Sequence, residues 1–64
     1  MSERTEALQE VVNMLRAMAK DRTTEARDCS RKGALGRASD LRFAATALRV
    51  AADGVRDMAK EPKP

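Results

Sequence analysis

"KGALG", residues 32–36, separates two long stretches in which small and apolar residues recur at alternating intervals of four and three. Upstream the stripe runs Leu8, Val12, Leu15, Ala19, Arg22, Ala26, Cys29 and Gly33; downstream it runs Ala34, Ala38, Leu41, Ala45, Leu48, Ala52, Val55 and Ala59. Alternating threes and fours keep a stripe on one side of an α-helix, as in antiparallel bundles and coiled coils. At the pentapeptide the two stripes fall out of phase by one step, and Gly33 and Gly36 provide the permissive backbone of a turn. The pattern predicts an all-α antiparallel helical hairpin in one domain over residues 1–61. Helix 1 is expected over about 3–32, the turn over 33–37 and helix 2 over about 38–60, with residues 62–64 as a tail.

Caps refine those bounds. Ser2 is a candidate N-cap for the first helix, and Ser39 or Asp40 for the second if the chain re-enters late. Pro62 and Pro64 end the helical pattern. Folding about residue 35 sets Leu15 near Val55, Ala19 near Ala52, Ala26 near Ala45 and Cys29 near Leu41, so small residues face small ones. A rival reading breaks the first helix at "DRTTE" (21–25), because Thr23 and Thr24 are poor helix formers. The phase of the stripe runs through residue 29 and favours one long helix. Arg22 occupies a stripe position that asks for a hydrophobe, and a charge there must reach water, pair or face a ligand.

At 64 residues, with aromatics 2% of the chain (Phe43 alone), the core must be built from Ala, Leu, Val and Met. A chain of that size has little margin as an isolated core, and association is the usual remedy. Helix 2 supports that expectation. Its polar residues concentrate on the stripe Arg42, Thr46, Arg49, Asp53, Arg56 and Lys60, which leaves Phe43, Ala47, Val50, Gly54 and Met58 as a second apolar face. Helix 1 adds Val11, Met14 and Met18. These eight residues are the expected oligomer or partner interface, with a two-fold dimer of hairpins forming a four-helix bundle as the favoured assembly.

Charge points to a second class of partner. The net charge is +3, and residues 27–42 hold Arg27, Arg31, Lys32, Arg37 and Arg42 against Asp28 and Asp40, while the rest of the chain balances. These five cations around the turn form a candidate site for a nucleotide or nucleic-acid phosphate, since arginine presents a donor fork matched to phosphate oxygens. In size and hairpin plan the chain resembles the small RNA-binding four-helix-bundle dimers of plasmid copy control. It also resembles sponge-like oligomers that sequester signalling nucleotides. Both resemblances imply phosphate recognition without catalysis.

Chemistry finds little support. There is no histidine, and the lone Cys29 falls on the core stripe, where a small buried hydrophobe is the simpler role. No metal site and no cofactor are expected, and no enzyme activity. The charged start "MSERTEAL" and the lack of an apolar run of about 20 residues argue for a cytoplasmic protein without a membrane partner. The expected function is that of a small oligomeric adaptor, regulator or inhibitor acting through its apolar helix faces, the alternative being a binder or sequestering protein for a phosphate-bearing ligand at the basic turn.

Overall fold

The computed structural model describes residues 2–60, which form two α-helices, α1 (Glu3–Arg31) and α2 (Leu35–Ala59), folded into an antiparallel hairpin. Ser2 caps α1 as expected: its hydroxyl accepts from the Thr5 backbone N–H at 3.2 Å, and Glu3 and Glu6 place negative charge in the first turn, where the helix dipole favours it. The helix does not break at 21–25. Thr23 and Thr24 instead donate their hydroxyls to the carbonyls of Ala19 and Lys20, at 3.0 and 3.1 Å, so each finds a partner inside the helix.

The turn is tighter than the sequence predicts. Ala34 N–H donates to the Cys29 carbonyl at 2.8 Å and Gly33 N–H to the Ser30 carbonyl at 3.1 Å, the paired bonds of a Schellman motif. Such a motif needs a left-handed residue just past the helix, and Gly33 takes it with φ +81°. Because reversal is complete within residues 32–34, α2 starts at Leu35 rather than near 38. Ser39 and Asp40 therefore lie inside α2 and do not cap it; Ala34 holds the N-cap position, where its carbonyl accepts from Ala38 N–H at 3.0 Å. Gly33 carries the turn alone, while Gly36 is helical.

Packing between the helices is built on every seventh residue. Val12, Ala19 and Ala26 of α1 and Ala38, Ala45 and Ala52 of α2 are fully buried, and Leu15, Cys29, Leu41, Leu48 and Val55 flank them half-buried. Register is fixed by three ties across the pair, Ser30 to Arg42, Thr23 to Arg49 and Arg16 to Asp53, whose residue numbers add to 72, 72 and 69. That centres the pairing where Ala19 meets Ala52 and Ala26 meets Ala45. Alanine at the contact allows helix axes near the short end of the usual range, about 8 Å.

The result is a ribbon, not a globule. Its Cα extents are 51 × 17 × 9 Å and its radius of gyration is 15.0 Å, against about 11 Å for a compact chain of this length. The alanine seam predicts a sharp steric limit. Ala45→Leu should push the helices apart and cost roughly 1–3 kcal/mol, read from urea unfolding by circular dichroism, whereas Ala17→Leu on the exposed side of α1 should leave the midpoint nearly unchanged.

Candidate functional site

The helical repeat sorts the remaining side chains by edge. At about 100° per residue, a residue four positions after a buried one turns to one edge of the ribbon, and a residue one position before turns to the other. Four positions after the six buried residues stand Arg16, Thr23, Ser30, Arg42, Arg49 and Arg56. One position before them stand Val11, Met18, Glu25, Arg37, Ala44 and Ala51. The hairpin thus has a basic edge and, opposite it, a largely apolar one.

The basic edge is concave. A groove of about 470 Å³ is lined by Arg16, Lys20, Thr23, Thr24, Arg27, Arg49 and Asp53. A second hollow of about 360 Å³ continues it towards the turn, sharing Thr23, Arg27 and Arg49 and adding Arg42 and Thr46. Hydroxyls position two of the arginines. Arg49 donates to Thr23 Oγ1 and Arg42 to Ser30 Oγ, both at 2.9 Å. These acceptors are neutral, so they orient a guanidinium without cancelling its charge. Among the described residues no carboxylate lies within ion-pair distance of Lys20, Arg27, Arg42 or Arg49. Asp53 is the one acid in the lining, and it is shared between Arg16 at 3.9 Å and Arg56 at 3.7 Å.

Of the five cations expected to cluster at the turn, the structure carries Arg27 and Arg42 into this groove. Arg31, Lys32 and Arg37 are exposed at the tip, with Arg31 3.7 Å from Asp28. Arg16, Lys20 and Arg49 join the groove although counting charge along the chain does not single them out. Asp21 and Glu25 offset α1's cations in sequence, but helical geometry turns both acids away from the groove. The polar stripe of α2, legible in sequence from Arg42 to Lys60, was the signal; its counterpart on α1 is visible only once the register is known.

Of the eight expected interface residues all are exposed except Val11, which is half-buried. Phe43 is 79% accessible and Val50 66%, and Met14, Met18 and Met58 are also open to solvent. Phe43, Ala47, Val50 and Gly54 follow one another along the outer side of α2, and nothing lies within 4 Å of where a Cβ on Gly54 would stand. Val11 and Met18 face the apolar edge of α1, with Met14 next to them. Cys29 is a free, half-buried thiol.

Arg22 takes no part in the groove. It bonds Glu25 at 2.7 Å, on the side of α1 away from the basic edge, and its guanidinium tip reaches solvent while Nε is buried without a partner. Among the described residues no cluster of His, Cys, Asp and Glu could hold a metal ion, and no helix is long and apolar enough to cross a membrane.

The chain matches no protein-family model, no curated protein and no solved structure. Its geometry is therefore read from its own residues. For Arg22 that geometry predicts a gain: Arg22→Leu should stabilise the hairpin by about 1 kcal/mol, since an exposed pair contributes less than an unsatisfied buried donor costs. The shift in urea midpoint checks it, and a loss of stability would show that the Arg22–Glu25 pair organises this part of α1.

Proposed function

We propose that this chain is a non-enzymatic, cytoplasmic binding protein that works as a homodimer of hairpins, serving as an adaptor, regulator or inhibitor. One observation carries the reading: the largest fully buried side chain is Val12, while Phe43, Val50, Met14, Met18 and Met58 stand in solvent. A hairpin that fully sequesters alanines, half-buries its seam leucines and leaves these large residues in solvent has further hydrophobic gain to make. The accessible surface agrees. It is 4937 Å², about 900 Å² more than a compact folded monomer of this mass normally shows, as follows for a thin ribbon with no second layer over its faces.

The outer seam of α2 complements itself. In an antiparallel two-fold pairing of α2 with a second copy, Phe43 lies against Gly54 of that copy and Ala47 against Val50, so each large residue meets a small one. Such an isologous contact closes on itself and yields a dimer rather than a filament. The free Cys29 thiol suits a reducing compartment. In this dimer Met14 and Met18 remain open on α1 beside the half-buried Val11, and methionine's flexible, polarizable side chain suits a partner surface.

Light scattering coupled to size exclusion should return twice the chain mass for the wild type. Gly54→Leu should convert it to a monomer, because the new side chain occupies the space that Phe43 of the other copy requires. Its own hairpin should survive: there is open space at Gly54, and leaving glycine gains up to about 1 kcal/mol of helix propensity. A wild-type chain that is monomeric and stably folded would overturn the reading.

A further inference from the structure

We infer that the basic groove between α1 and α2 is a docking site for the phosphodiester backbone of a double-helical nucleic acid, bound without regard to base sequence. The inference goes beyond the dimer, because every residue of the groove belongs to one hairpin. Three features of the site lead to it.

The first is how the cations are distributed along the axis. With the register set by the cross-helix ties, Arg16 lies level with Arg56, Lys20 with Arg49, and Arg27 with Arg42. Successive arginines of α2 are seven residues apart, or about 10 Å at the helical rise of 1.5 Å per residue. Six cations, the five of the groove lining and Arg56 beside it, therefore span about 20 Å, or about one per 3–4 Å. One strand of a duplex carries a phosphate about every 3.4 Å of axis, so the two charge densities match over about six base pairs.

The second feature is charge that the protein itself does not neutralise. Asp53 partly compensates the rung formed by Arg16 and Arg56. The other two rungs face the groove with Arg42 and Arg49 held by hydroxyls alone. Meanwhile Asp21, Glu25 and Asp28 lie away from the groove, the latter two in local pairs with Arg22 and Arg31. Segregation of this kind leaves a standing positive potential along one edge, which attracts a polyanion and orients its approach.

The third is what the lining lacks. Its donors are arginine, lysine and threonine, the side chains that contact phosphate and sugar. Single strands are held by stacking their bases on aromatic rings, and the chain's one aromatic residue, Phe43, is on the outer side of α2 and does not line the groove. A ligand that hides its bases and displays its phosphates fits such a surface better than one that presents bases.

Fluorescence anisotropy with labelled duplexes of about 20 base pairs, RNA and DNA in separate arms and each in two unrelated sequences, tests this over a range of salt. Binding should be equal for the two sequences. The log–log salt slope should be between about −3 and −5, given about −0.9 per phosphate neutralised. Arg27→Gln with Arg49→Gln should weaken binding at least tenfold and flatten the slope by about two. Arg31→Gln with Lys32→Gln at the turn should stay within about twofold of wild type, and Asp53→Asn should tighten binding and steepen the slope by about one. The RNA and DNA arms identify which duplex is preferred, and binding of either one supports the inference. No duplex binding at low salt by the folded wild type overturns it, as does an equal loss in the turn and groove variants. Displacement by inorganic tripolyphosphate at equal phosphate concentration would assign the groove to small polyphosphates and also overturn it. The Gly54→Leu hairpin retains the groove and should bind with the same slope. Loss of binding by that variant while still folded would place recognition in the dimer instead, so failure of the groove and failure of the dimer give different results.

Discussion

Where the two helices meet, five alanines and one valine are the fully sequestered side chains among the described residues, and the size of those side chains sets how closely the backbones approach. Each buried methyl contributes only about 0.8 kcal/mol. Close contact along a narrow seam compensates by adding dispersion between the helix backbones themselves. The same economy leaves the hairpin thin, a single layer of two helices in which every side chain off the seam lies near a surface. Both candidate surfaces, the apolar seam of α2 and the basic groove, follow from that thinness. Larger core residues would have widened the ribbon and moved Thr23 away from Arg49 and Ser30 away from Arg42.

A seven-residue repeat of alanine also imposes a repeat on its neighbours. Once Ala38, Ala45 and Ala52 are buried, Arg42, Arg49 and Arg56 must rise on the same edge at the same interval, and Arg16, Thr23 and Ser30 must meet them from α1. The groove's character is therefore a by-product of core register. Threonine and serine on α1 face arginine on α2, so the long side chains find acceptors without an intervening acid. Thr23 serves two roles, since its hydroxyl both donates to the Ala19 carbonyl and accepts from Arg49. A residue that counts against helix in a propensity table thus helps to assemble the surface.

Parts of this were legible from residues alone. The seam, the pairing of Ala19 with Ala52 and of Ala26 with Ala45, the Ser2 cap and the exposed Phe43–Gly54 face all follow from a period of three and four in one dimension. The turn was less legible, because Ser39 and Asp40 offered capping chemistry that competed with a shorter reversal at Gly33. Backbone hydrogen bonds settled that competition: the Schellman bonds from Gly33 and Ala34 satisfy the last carbonyls of α1 and deliver the chain straight into α2. The basic site was legible only in half. A window of sequence adds Asp21 and Glu25 to Lys20 and Arg27 and finds near neutrality, although the helix points those acids elsewhere.

By itself, then, the sequence determined that there are two helices, which line of each is buried and that the chain reverses between them near its paired glycines, because these depend on local periodicity and on a glycine able to adopt positive φ. Tertiary structure alone decided which cations share a surface. Arg16, Lys20 and Arg27 are distant in sequence from Arg42, Arg49 and Arg56, and their common edge exists only when the alanine seam fixes the register of one helix against the other. Charge acts through space with the sign and distance of its neighbours, and a linear chain does not contain those distances until it is packed.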